Sequence, residues 1–288
     1  MFDRRRSLAA LAASILWHRA ADPKANNSTA QPSFDDLWQE VQRDPNILLS
    51  TRSYREGREV EYEVFGLGKP MAPRYEPSLR SISDDAVKMI IGFEVTDELL
   101  YKRRYRQPIW PKGKSGVTVG IGYDVGYAKP AWVREDWSGI LSDRYIELLS
   151  KACGVTGVGA KKFVPELKSI TIDWDDARKQ FVGTSLRRYT AQTLGVLKNA
   201  DLLSDDSLGA LVSLVYNRGP SFKLVGPRYE EMRKIRLLVV KKDFSAIPNE
   251  IRRMVRLWEN TEIEGLCKRR LLEAALFERG LQDRARKT

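Results

Sequence analysis

Histidine and cysteine are almost absent: the 288 residues include one His, His18, and two Cys, Cys153 and Cys267. That supply cannot build a Cys/His zinc site, and His18, close to the N-terminus, does not furnish a Ser/His/Asp or Cys/His triad. Catalysis by this chain would therefore rest on carboxylates, with no metal or organic cofactor expected. A single pair of cysteines fits a disulfide and two buried thiols equally well. Also missing is an apolar run of the roughly eighteen residues that a membrane-spanning helix needs. The mature protein therefore reads as soluble, with no membrane span.

What is present starts with charge. Lys and Arg number 49 against 38 Asp and Glu, a formal net charge of +11, which favours an anionic partner: nucleic acid, anionic lipid or an acidic cell-wall polymer. At 42% hydrophobic residues the chain can bury a substantial core, enough for one large domain or one domain with an appendage. Arg4, Arg5 and Arg6 precede the uncharged stretch Ser7 to Trp17, which resembles the start of an export signal, even a twin-arginine one. His18 and Arg19 stand where a cleavage site wants small residues, so an amphipathic or disordered arm fits as well.

Residues 19 to 33 hold almost nothing large and apolar and read as a linker. A helix is expected from Phe34 to Arg43, with Ser33 as N-cap and Pro45 as stop. Glu59 to Phe65 alternates Val60, Tyr62 and Val64 with Glu59, Glu61 and Glu63, the period of a half-buried strand. Three parts follow: residues 1–33, an accessory segment 34–80, and a main domain 81–288.

In the main domain Ser83 is placed to cap a helix whose first turn carries Asp84 and Asp85. Val87, Ile90 and Ile91 form its buried stripe, and stepping seven, four and three residues on from them reaches Glu94 each time. A carboxylate on that face is either a core-edge Glu paired with an Arg or a general acid whose proton is retained by burial. A basic and aromatic loop is expected from Lys102 to Lys114, containing Tyr105 and Trp110. It would suit base stacking beside phosphates, sugar rings beside carboxylates, or plain solvation.

Gly116 to Gly126 then reads as a glycine-punctuated hairpin. Gly120, Gly122 and Gly126 are not a dinucleotide fingerprint, because no βαβ unit surrounds them. They instead let strands pass close to a ligand, presenting Thr118 and Asp124. Further helices are expected from Trp174 to about Asn199, Asp206 to Arg218, Arg228 to Val240, Phe244 to Trp258 with an interruption near Pro248, and Leu266 to Leu281. On the last, Lys268, Arg269 and Arg270 precede Glu273 at helix-surface ion-pair spacing, although one arginine could instead turn inward to a buried Glu. The whole is α+β, mainly helical with a small β element.

Phe93-Glu94, the segment from Gly116 to Asp124, the segment from Ala210 to Gly219 and the segment from Gly265 to Glu273 stand in an order that resembles the phage-type lysozymes, in particular their pesticin-like branch. The resemblance covers roughly residues 80 to 283. It implies a lysozyme-like fold with a small β-hairpin lobe flanking a glycan cleft, Glu94 as general acid, and Thr118 and Asp124 holding the attacking water. Common phage enzymes carry the Asp before the Thr, where this chain has Lys112; in the pesticin-like pattern it follows the Thr, as Asp124 follows Thr118. The resemblance further implies that Arg269 pairs with the catalytic Glu and that Asn217 lies near the cleft. Tyr123 and Trp110 are assigned to the substrate with Asn217.

The implied activity is that of a muramidase: hydrolysis of the β-1,4 bond between N-acetylmuramic acid and N-acetylglucosamine, with inversion. The partner would be peptidoglycan glycan strands, the protein a monomer, and its place the periplasm, the outside of the cell or the cell wall, in a bacteriolytic or antimicrobial setting. A chitinase or lytic transglycosylase of related fold, or a non-catalytic module binding cell wall or nucleic acid, remains an alternative.

Overall fold

The computed structural model describes residues 31–49, 74–259, 261 and 264–287. The strand expected at Glu59 to Phe65 and the N-terminal basic and apolar segment lie outside them. The described chain is mostly helical, with one two-stranded antiparallel sheet.

Helix α1 spans Phe34–Arg43, where Ser33 accepts from the Asp36 amide and the Asp36 carboxylate accepts in return from the Ser33 amide, a reciprocal cap. Its apolar face, Phe34, Leu37 and Val41, enters the main core. That places the start of the accessory segment inside the same compact unit as the rest, Pro32–Thr288.

Helix α2 spans Asp84–Val95, its N-terminus satisfied by the Ser83 hydroxyl. It is buried on almost every side, with Met89, Phe93 and Val95 inside as well as Val87, Ile90 and Ile91. A short α3, Glu98–Arg104, follows, so the first residues of the expected basic loop are helical.

The hairpin pairs β1, Thr118–Val119, with β2, Tyr123–Asp124; Thr118 faces Asp124 and Val119 faces Tyr123. Three short helices then appear where none was expected: α4 Pro130–Trp137, α5 Asp143–Ser150 and α6 Gly157–Phe163. Pro130 stands in the first turn of α4, where its missing N–H costs nothing.

The long helix expected from Trp174 to about Asn199 runs to Val196 and contains one π-helical turn. Helix α7, Trp174–Gln180, passes through a single π-helical turn, Phe181–Ser185, into α8, Leu186–Val196. Then come α9 Asp205–Arg218, α10 Glu230–Lys241, α11 Ile247–Arg253 and α12 Glu264–Lys287. Pro248 does not interrupt a helix; it sits in the first turn of α11, between two short 3-10 segments. Helix α9 is buried over most of its length and packs on α12, α8 and α2, forming the spine of the domain.

Candidate functional site

Glu94 is the penultimate residue of α2 and is 4% exposed. Two residues on, Thr96 takes φ 70° and ψ −71°, and the Asp97 amide donates to the Val95 carbonyl at 2.9 Å. This is a γ-turn of the rare, strained hand, held by a non-glycine residue immediately after the helix that presents Glu94.

Against Glu94 lies Arg269 of α12, with Nη1 3.7 Å from Oε1 and the guanidinium over the Phe93 ring. Arg269 also donates to the Ser213 hydroxyl and carbonyl and, at 3.3 Å, to Glu273. Arg270 donates to the same Glu273 oxygen at 2.8 Å and to Asn217 Oδ1 at 3.3 Å. The Ser213 hydroxyl donates to that oxygen at 2.6 Å.

Both arginines therefore turn inward, and neither forms a helix-surface ion pair; Arg269, Arg270 and Glu273 are each 1% exposed or less. Only Lys268 of the basic triplet reaches outward, to Glu40 of α1 at 2.5 Å. Glu94, Arg269, Glu273 and Arg270 form a buried cluster of two arginines and two carboxyl groups. Replacing such a cluster with apolar groups is often neutral or stabilising, so its presence calls for an explanation other than stability.

Thr118 and Asp124 are cross-strand partners, so their side chains share one face of the hairpin. The Asp124 carboxylate is firmly held: the Gly116 amide donates to both of its oxygens at 3.1 Å, and the Gly126 amide to one at 3.0 Å. This requires close backbone approach. A Cβ on Gly116 would lie 2.4 Å from Gly126 Cα, and one on Gly126 would lie 2.6 Å from Gly116 Cα. Gly126→Ala should thus pry the hairpin mouth open and cost about 1–3 kcal/mol, while Gly183→Ala, with nothing within 4 Å, serves as a near-neutral control. Thermal melts of the two variants compare them directly.

Asp124 and Tyr123 line a cavity of about 290 Å³ together with Tyr75, Trp132, Arg188 and Tyr216 among others. Glu94 and Thr118 are not among its walls. Helix α9 links the two groups of residues. Ser213 and Asn217, four apart, reach the arginines, while Tyr216 next door lines the cavity.

Of the residues assigned to substrate, Tyr123 is a cavity wall whose hydroxyl donates to Asp136 at 2.9 Å. Burial and the neighbouring Asp136 push this phenol well above its ordinary range, so it remains a donor. Asn217 is buried and bonded to Arg270. Trp110 lies away from the cavity, its indole N–H donating to the Ser115 carbonyl and Lys161 above its ring. Lys112, where common phage enzymes carry an Asp, sits in a turn at φ 83°.

The sequence offered Asp136 only as a fallback for Asp124 as the second acid, yet it lines this cavity. Asp136, 6% exposed, accepts from Tyr123, from Arg74 at 2.6 Å and from Arg188 at 2.9 Å. Burial works against the Arg188 charge, but hydrogen bonds to Asp136 and Glu135 outweigh it and hold the guanidinium further toward its charged form. The two arginines lie 62 and 52 residues from Asp136 in sequence, beyond the reach of any local pattern, although Tyr123 is only 13 away. The π-helical turn that carries Ser185 into the cavity wall was equally silent. Both cysteines are free, and burial pushes the Cys153 thiol up to about 11. Among the described residues there is no cluster of three metal-ligating side chains and no helix long and apolar enough to cross a membrane.

A family model, a domain of unknown function (DUF8812), matches residues 92–202. The match takes in Glu94, the hairpin and most of the cavity wall, and ends before α9 and α12. No curated protein matches the chain.

Proposed function

We propose that this protein is a muramidase with a lysozyme-like fold. The observation that carries the reading is the buried Glu94–Arg269 pair at the end of α2, in a chain whose motif order is similar to that of the pesticin-like lysozymes. Glu94 protonates the glycosidic oxygen, and Asp124 with Thr118 orients a water on the opposite face of the sugar, giving inversion. Asp124 is fixed by backbone amides and lines the cavity, which suits an acceptor that positions water. Two other carboxylates have structural posts: Asp97 caps α3, accepting from Leu100 at 2.7 Å, and Asp136 is enclosed by its three donors. The basic surface matches an anionic wall polymer.

One observation favours a second reading. A carboxylate already engaged by two amides is a weak candidate for deprotonating water, and a lytic transglycosylase needs only the acid, since the substrate's own hydroxyl closes an anhydro ring. Digestion of purified peptidoglycan separates the two, hydrolysis yielding reducing ends and transglycosylation anhydro-sugars. In a hydrolase, Asp124→Asn should lose about 10²-fold or more of the activity. Continued turnover in that variant with anhydro products would replace hydrolysis by transglycosylation, and the absence of any cleavage by the wild type would overturn both.

A further inference from the structure

Helix α1 lies outside the stretch that resembles the lysozymes and outside the family match at residues 92–202, yet it grips both helices that hold the acid. Its Trp38 indole lies over Gly92 of α2, two residues before Glu94, so close that a Cβ on Gly92 would meet the ring at 2.7 Å. Only glycine admits the ring there. Two residues further along α1, Glu40 accepts from Lys268 of α12 at 2.5 Å, and Lys268 is the chain neighbour of Arg269.

The other end of α1 is tied to the same two helices. Arg279 of α12 stands 3.5 Å from Asp35 and over the Phe34 ring, and it donates to Asp85 in the first turn of α2 and to Asp206 of α9. Phe34 and Trp38, one helical turn apart, stack with their planes 8° from parallel. Passing along α1 from Asp35 to Glu40 therefore follows α12 backwards from Arg279 to Lys268, and α2 forwards from Asp85 towards Gly92. Helix α1 thus spans the seam between α2 and α12, anchored in the core by Phe34, Leu37 and Val41.

That seam is where Glu94 meets Arg269. The two groups sit on different helices, 3.7 Å apart, so their spacing follows from how α2 and α12 are held. Attraction between charges in a buried site falls off quickly once water can enter between them. The charged groups clustered with Glu94, namely Arg269, Arg270 and Glu273, all belong to α12. Trp38 is uncharged and can act on the acid only through geometry.

Resting on the reading of Glu94 as general acid, we propose that Trp38 is a positioning residue for the reaction: seated on Gly92, with Glu40 holding Lys268, it braces α2 against α12 and fixes the Glu94–Arg269 contact. The accessory helix then serves the acid and does more than enlarge the core.

The test is a cycle of Trp38→Ala and Arg269→Met on the full chain. One readout is the titration of Glu94, followed by carbon-13 NMR of the glutamate carboxyls and assigned by the signal that Glu94→Gln removes; the other is turnover of soluble glycan-strand fragments. Trp38→Ala lets α2 and α12 part and the cation recede, so the Glu94 midpoint should rise, kcat should fall about tenfold, and KM should stay within about twofold. In Arg269→Met no cation remains to recede, and adding Trp38→Ala should leave the midpoint where it was. Gly92→Ala presses a methyl into the indole and should also raise the midpoint, and Trp38→Phe in that background should bring it back. This second pair carries the test if Trp38→Ala does not fold.

An equal shift in both backgrounds, or a lower melting temperature with midpoint and kcat unchanged, would overturn the brace. A midpoint that responds to Trp38 in a protein that cleaves nothing would leave the brace standing and remove the muramidase reading. Cleavage with a midpoint indifferent to Trp38 would do the reverse.

Discussion

Glu94→Gln is expected to abolish wall hydrolysis, by about 10²- to 10⁴-fold in the release of reducing ends from purified peptidoglycan, while the fold is kept. Glutamine is nearly isosteric and can still face Arg269, whose other hydrogen bonds, to Ser213 and Glu273, do not involve Glu94. What it lacks is a proton to give. The leaving sugar oxygen must be protonated as the bond breaks, and no other carboxylate in the cluster is placed to substitute, since Glu273 is fully buried beneath both arginines. A melting temperature near that of the wild type is part of the expectation, because it separates lost chemistry from lost structure. Turnover at the wild-type rate would sink the mechanism, and loss of activity together with the fold would show that Glu94 is a structural partner of Arg269.

The local grammar of this chain was legible. Ser33 and Ser83 cap the helices they precede, and the helical period put Glu94 on the buried side of α2. The turn of Arg269 toward Glu94 was implied by the family resemblance; that Arg270 turns into the core as well was not legible, for a physical reason. Helix α12 buries Leu266, Arg269, Arg270, Leu272, Glu273, Ala274 and Phe277, which lie on most of its faces, so no polar face existed to assign the arginines to. The i,i+3 and i,i+4 spacing to Glu273 is real but cannot say whether the pair stands in water or in the core. The cavity was hidden because its walls are set by distant partners: Arg74 with Asp136, Arg188 with Tyr75 and Asp136. Short helices such as α4 to α6 escaped because seven or eight residues carry barely two turns of periodicity. The hairpin was read from its glycines, and the reason lies in the approach of Gly116 to Gly126, which leaves no room for side chains and lets two amides hold Asp124.

The second large effect falls on stability. Glu273→Leu keeps much of the volume and removes a carboxylate that Arg269 and Arg270 share, while the contacts of Arg270 with Asn217 and of Arg269 with Glu94 and Ser213 stay. Breaking a buried ion pair by removing one partner costs about 3–5 kcal/mol, because a buried charge loses a counter-charge that no water replaces. In a domain of this size that is a fall of roughly 6–20 °C in melting temperature. Glu273→Gln is the informative companion, since its amide oxygen can still accept from Arg270 while the negative charge is gone. One negative charge is then missing beside Glu94, and the arginines' positive charge is less compensated. That imbalance favours the ionised acid, so any residual activity should show its alkaline limb at lower pH. Arg269→Met has the opposite sign: removing the cation 3.7 Å from Glu94 lets burial dominate and should move the limb to higher pH. Shifts in opposite directions would establish that α12 sets the protonation of the acid; shifts of the same sign, or none, would mean that the cluster holds the helices together and leaves Glu94 to its own burial.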